Sequence, residues 1–136
     1  MFIDKDDGLP FHPTPAFFLG GLDIYDREET LGATLEQLDP NDPVDREKII
    51  LNYCLPSRKS YRHKYLLHKC LMEALENKNY NFQSLLQYDP EAYSSFPYGW
   101  DEMKDTRAFF EDIYRLAAIE WREDLDKASK EDPSAW

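Results

Sequence analysis

The chain has few glycines and cysteines and no long apolar run. Its five glycines form no phosphate-binding loop, and the pair Gly20-Gly21 is followed closely by acid rather than by a Lys-Ser/Thr pair. Two cysteines, Cys54 and Cys70, are too few for a disulfide scaffold, and their apolar helical surroundings predict buried thiols. No apolar run approaches the roughly 20 residues of a membrane helix, which excludes a bilayer span.

Motifs for catalysis and metal binding are also missing. His63 and His68 are five residues apart on a predicted helix, about 140° around its axis, where a shared zinc face requires a spacing of three or four. The acidic run 39–45 lacks the central glycine and distal glutamate of a calcium loop, so helix caps and turns explain it better. No Gly-x-Ser-x-Gly elbow occurs, and Cys70 lies near the histidines only in sequence. We predict no metal, no cofactor and no enzyme activity.

Length and composition predict one folded domain over residues 1–136. Hydrophobic residues make up 42% of the chain and aromatic residues 15%, which is too apolar for a disordered chain. The N-terminus is acidic where a secretory signal would be positive and then apolar, so we predict no signal peptide and a cytoplasmic protein.

Residues 1–26 predict an irregular arm that packs on a helical body. Three prolines lie within six positions, 10–15, and prevent a regular helix there. A strand over residues 21–25 would have no partner strand. The arm's large apolar side chains are expected to pack back on the body: Phe11, Phe17, Phe18 and Leu19.

Residues 27–136 predict about five helices and no paired strands, which gives an all-α irregular bundle. Asp42 followed by Pro43 is typical of an N-cap and first helical residue. The predicted helices run from Arg27 or Thr30 to Leu38, from Asp42 to just before Pro56, from Ser57 or Ser60 to Asn77, from Phe82 to Tyr88, and from Asp101 to about Lys130, with residues 93–100 as a loop. A buried seam is predicted along the last helix at Met103, Phe110, Ile113, Ala117, Trp121 and Ala128.

Charge is distributed unevenly in this acidic chain. The net charge is −11 and the pI about 4.6, yet the segment from Arg58 to Lys78 holds six Lys/Arg and two Glu. Tyr61 and Tyr65 interleave with these cations, a pattern that also suits nucleic acid, although the net charge opposes direct binding to phosphates. A protein-binding surface is a further alternative. We favour internal salt bridges to the acidic helices that flank the segment.

Carboxylates and aromatic residues cluster around the start of the last predicted helix. On one continuous helix, Asp101, Asp105 and Asp112 fall within about 40° of one another. An acidic helix face is commonly just exposed to solvent, and the aromatic residues Phe96, Tyr98 and Trp100 could equally pack in the core. Aromatic residues beside charges are, however, also typical of protein interfaces. The predicted partner-binding residues are Tyr98, Trp100, Asp101, Glu102, Asp105 and Asp112.

Small size, acidity and the lack of a catalytic motif favour a binding protein with a basic protein partner. One hypothesis is a bacterial immunity or inhibitor protein that blocks a toxin such as a nuclease. Alternatives are an adaptor subunit whose aromatic arm docks on a larger assembly, and an inhibitor of phage or mobile-element type that mimics nucleic acid. No motif is diagnostic of a family, and the oligomeric state is left open.

Overall fold

The computed structural model describes the chain over residues 2–3, 8–56, 59–87 and 95–136. Within these ranges the regular structure is helical, with one isolated antiparallel bridge between Ile3 and Pro10 and no strand. The predicted all-α class is confirmed. The longer α-helices in the described ranges are α1 (Pro43–Ile49), α2 (Tyr61–Glu76), α3 (Thr106–Glu120) and α4 (Arg122–Ser129).

The N-terminal arm contains a 3-10 helix, Pro15–Leu22, where the sequence predicted an irregular segment. A proline suits its first turn because the missing N–H would have no intrahelical partner there. Phe18 and Leu19 are buried in the core, while Phe17 is 46% exposed. Phe11 is partly buried against the core. Phe18 and Leu19 thus enter the core from a helix rather than from an irregular segment.

Gly21 lies where this 3-10 helix crosses the π-helical turn Ile50–Cys54 that continues α1. A Cβ atom at Gly21 would lie 2.1 Å from the carbonyl oxygen of Tyr53, so only glycine permits this approach. Over residues 21–25, the 3-10 helix covers Gly21 and Leu22, and residues 23–25 form no strand.

Asp42 starts α1 as predicted. Its Oδ2 accepts a hydrogen bond from the Asp45 amide at 3.0 Å, and Pro43 occupies the first helical position. The preceding predicted helix is a π-helical turn, Glu28–Gly32, followed by a single α-turn, Ala33–Leu35.

Ser60 caps α2, with its hydroxyl accepting from the His63 amide at 3.4 Å. Ser57, the other predicted cap, lies outside the described residues. The helix predicted from Phe82 to Tyr88 is a short 3-10 turn, Gln83–Leu86, and Tyr88 also lies outside the described residues.

The predicted single helix over 101–130 is wrong, because the chain breaks twice. A 3-10 turn, Trp100–Glu102, ends at Met103, whose ψ of 137° is extended rather than helical. Met103 is buried in the core. Asp105 then starts α3 as its N-cap, accepting from the Ala108 amide at 3.0 Å.

Trp121 makes the second break, between α3 and α4. Its ψ is 15°, outside the helical range, and its indole N–H donates to the carbonyl of Leu55 at 3.2 Å. The Trp121 ring stacks on Phe18 with a centroid distance of 5.8 Å. A buried side chain that is anchored to two other segments therefore interrupts the helical backbone.

The predicted buried seam is confirmed despite these breaks. All six of its side chains are buried: Met103, Phe110, Ile113, Ala117, Trp121 and Ala128. Helix α2 packs against both α3 and α4, which places the basic segment beside the acidic C-terminal helices.

Candidate partner-binding surface

Two of the three cations of α2, Arg62 and Lys64, are paired within the molecule. Lys64 Nζ lies 2.7 Å from Asp124 Oδ2 on α4, and Arg62 Nη2 lies 3.0 Å from Glu131 Oε1, just beyond α4. The Tyr61 hydroxyl donates to Glu131 Oε2 at 2.6 Å, and this bond together with Arg62 lowers the pKa of Glu131. The predicted internal salt bridges are confirmed for these residues, so Arg62 and Lys64 do not offer a free basic surface.

A tight turn separates the two aromatic residues of the predicted site. The Trp100 amide donates to the Pro97 carbonyl at 3.1 Å, and Gly99 has φ 86° and ψ −9°, the values of the third residue of a type II turn. Trp100 is only 3% exposed and belongs to the core, whereas Tyr98 is 98% exposed. The predicted contact through Trp100 is therefore unavailable on this surface, and Tyr98 is the presented ring.

A cleft of about 400 Å³ opens beside Tyr98. Its charged lining consists of the exposed carboxylates Glu36, Asp101 and Glu102. Within the described part of the chain, these side chains form no hydrogen bond or ion pair. The cleft also has an apolar lining, from Ile24, Leu86 and Phe96.

Three hydrogen bonds fix the walls of the cleft. The Ile24 amide donates to the Ser95 carbonyl at 2.7 Å, and the Ser95 amide donates to Asp23 Oδ1 at 3.0 Å. The carbonyl of Asp101, another lining residue, accepts from Gln83 Nε2 at 2.9 Å. Segments distant in sequence are thereby held together around one opening.

Asp105 and Asp112 do not join this cleft. Asp105 caps α3, and Asp112 lies 3.4 Å from Arg46 Nη1 and 3.5 Å from Arg115 Nη2. Because the chain is extended at Met103, the angular relation predicted on one continuous helix does not apply to Asp101. Of the predicted acidic site residues, the structure brings only Asp101 and Glu102 together at the cleft.

The sequence prediction missed Glu36 and Ile24. Both come from the region before α1, far from Asp101 in the chain, and their local pattern resembles that of any exposed acid or buried aliphatic residue. No local signal in the sequence distinguishes them, because tertiary packing alone brings them to the cleft.

Burial shifts the pKa values of both thiols and of His68. Burial raises the pKa of the Cys54 thiol, and burial followed by the charge of Glu73 raises the pKa of Cys70 to about 12. Burial lowers the pKa of His68, whose Nε2 lies 3.2 Å from the Tyr114 carbonyl. Over the described ranges, no group of three or more His, Cys, Asp or Glu residues is placed to hold a metal ion.

Comparison with known proteins gives no match. The chain fits no protein-family model, and neither the curated proteins nor the solved structures include one significantly similar to it. In the described part of the chain, no helix combines the length and apolar character needed to cross a bilayer.

Proposed function

We propose that this chain is a small acidic cytoplasmic protein that binds and neutralises a basic protein, in the manner of a bacterial immunity protein that blocks a nuclease toxin. The observation that carries the proposal is the cleft beside Tyr98. An almost fully exposed aromatic ring lies next to carboxylates, Glu36, Asp101 and Glu102, that have no partner among the described residues. Exposed aromatic anchors beside complementary charge are typical of interface hot spots.

The charge distribution supports a basic partner. The net charge is −11. Two cations of the basic segment, Arg62 and Lys64, are already paired with Glu131 and Asp124. A strongly negative surface accelerates association with a positive one. In this proposal Asp101 and Glu102 occupy positions that nucleic-acid phosphates take in the partner's groove, and Tyr98 fills a neighbouring pocket. Bound there, the protein excludes the nucleic acid.

Affinity capture followed by titration of the purified partner tests the proposal. The immobilised full chain should recover a basic protein from its native host, and the free chain should inhibit that protein's nuclease activity. The double variant Asp101→Lys/Glu102→Lys should weaken binding about 100-fold, because two charge-assisted contacts become repulsions. Both side chains are exposed, so the fold should be retained.

The matched control is Glu120→Lys/Glu123→Lys, which makes the same change in charge at exposed positions near the junction of α3 and α4. This variant should change binding no more than a few-fold, through long-range steering alone. Equal losses in the two double variants would contradict the assignment of the cleft. Capture of a stable assembly whose activity is unchanged would instead favour the adaptor hypothesis.

A further inference from the structure

We infer that the cleft beside Tyr98 is a binding pocket for a guanidinium group, presented by a single arginine side chain of the basic partner. The inference rests on the proposed function and names the group that the surface recognises. Its volume of about 400 Å³ falls in the range of roughly 300–1,000 Å³ that is typical of ligand pockets.

The lining of the cleft matches the two halves of an arginine side chain. Ile24 and Leu86 are buried hydrophobic residues and Phe96 is half-buried, so the cleft has an apolar part that can cover the methylene stem. Glu36, Asp101 and Glu102 supply carboxylate oxygens for the charged end. An amphipathic cation therefore suits the cleft better than a purely polar or purely apolar group.

The negative charge of the cleft lacks a counterion from this chain. The described residues that line it include Glu36, Asp101 and Glu102 but no lysine, arginine or histidine. Three like charges around one opening repel one another, and an incoming cation relieves that repulsion. Charge complementarity thus points to a positive occupant.

Geometry favours guanidinium over ammonium. A guanidinium group has five N–H donors in a plane and can bond to more than one carboxylate at once, whereas an ammonium group acts as a compact point charge. Tyr98 and Phe96 add aromatic rings to the lining, and guanidinium stacks on aromatic faces. The pocket should therefore discriminate between arginine and lysine.

The pocket is held in place before a partner arrives. The Ser95 carbonyl accepts from the Ile24 amide, and the Ser95 amide donates to the side-chain Oδ1 of Asp23. The left-handed Gly99 fixes the turn that presents Tyr98. Trp100, buried in the core, anchors the far end of that turn. Such pre-organisation lowers the entropic cost of binding a side chain.

Amide chemical shifts of the full chain, titrated with a short peptide, test the inference. The probe is acetyl-Ala-Arg-Ala-amide, compared with the same peptide carrying lysine or citrulline. We expect saturable shifts confined to residues 95–102 and the amides of Ile24 and Glu36, with a Kd of about 1 mM for arginine. The lysine peptide should bind about fivefold more weakly, and the neutral citrulline peptide should not bind measurably.

Variants with exposed substitutions show which side chains contribute to the affinity for the arginine peptide. Asp101→Asn/Glu102→Gln should weaken arginine-peptide binding at least about tenfold, and Tyr98→Ala about threefold. The control Glu120→Gln/Glu123→Gln removes the same charge elsewhere and should leave the Kd within about twofold. All of these side chains are exposed, and the amide spectrum of each variant shows directly whether the fold is retained.

Several outcomes would overturn the inference. Shifts spread over the whole acidic surface, equal affinities for the arginine and lysine peptides, or equal losses in the two double variants would each show general charge attraction only. The proposed function is tested separately. If the peptide binds in the cleft but the captured partner tolerates Asp101→Lys/Glu102→Lys, the arginine pocket is supported and the proposed function is contradicted. If this double variant loses the partner but the peptide never binds, the proposed function is supported and the arginine pocket is contradicted.

Discussion

At the residue scale, Gly21 is a position where a single methyl group would separate two parts of the core. Its hypothetical Cβ would lie 2.1 Å from the Tyr53 carbonyl oxygen, a backbone atom that cannot rotate away. Gly21→Ala should therefore lower the free energy of unfolding by about 2 kcal/mol, as overpacking of cores commonly does. Urea unfolding followed by circular dichroism measures this as a lower midpoint.

The neighbouring Gly20 supplies the control. A Cβ there would meet no atom within 4 Å, so Gly20→Ala should leave stability unchanged or raise it by up to about 1 kcal/mol through the unfolded chain. Equal unfolding midpoints for the two variants would show that the 3-10 helix does not approach Tyr53 this closely.

The two thiols give a second prediction at the residue scale. Burial raises the pKa of Cys54, and partial burial with the charge of Glu73 raises the pKa of Cys70 to about 12, so we expect little thiolate from either near pH 8 in the folded protein. Ellman's reagent should react with both only after unfolding in urea, when their pKa values return to about 8.5. The single variants Cys54→Ala and Cys70→Ala show which thiol gives which part of the reaction with Ellman's reagent. Rapid reaction of Cys54 in the native protein would contradict its buried position.

At the element scale, the contact of α2 with the segment after α4 should depend on pH through Glu131. Tyr61 and Arg62 hold the pKa of Glu131 below its ordinary value of 4.5. A carboxylate with a lowered folded-state pKa stabilises the protein above its unfolded-state pKa, and that stabilisation is lost as pH falls through the folded-state value. Glu131→Gln should thus destabilise the protein near neutral pH, and its difference from wild type should disappear in acid.

Urea unfolding at neutral pH and in acid measures this difference. Glu120→Gln serves as the control, because Glu120 is exposed and its side chain makes no hydrogen bond or ion pair in the described part of the chain. Its effect should be small at both pH values. A difference between wild type and Glu131→Gln that is unchanged in acid would contradict the contact with Tyr61 and Arg62.

At the scale of the whole molecule, repulsion among carboxylates should outweigh the ion pairs. The chain has 27 acidic and 16 basic residues, and its described residues form only a few ion pairs, of which one, Lys130–Asp126, is largely exposed. Raising the ionic strength from about 0.01 M to about 0.15 M shortens the Debye length from about 30 Å to about 8 Å and screens the repulsion. The urea midpoint should therefore rise with NaCl. A fall would show that the ion pairs of α2 dominate.

Capping residues, which act within a few positions of the chain, correctly predicted where helices α1 and α2 begin. Asp42 and Pro43 start α1 as their residue types require, and Ser60 caps α2. The predicted single C-terminal helix fails at Met103 and Trp121 for a physical reason. Both carry apolar side chains at helical spacing, so the local pattern continues through them, but their burial against other segments takes the backbone out of the helix.

The sequence by itself determined the helical class, the caps and the buried seam, because periodicity and capping act between residues a few positions apart. Only the tertiary structure decided which charges and rings reach a partner. Asp112 and Asp101 look alike in the sequence, yet Arg46 and Arg115 pair with Asp112 while Asp101 lines an acidic cleft. Burial and ion pairing depend on distances between remote segments, and those distances exist only once the helices have packed.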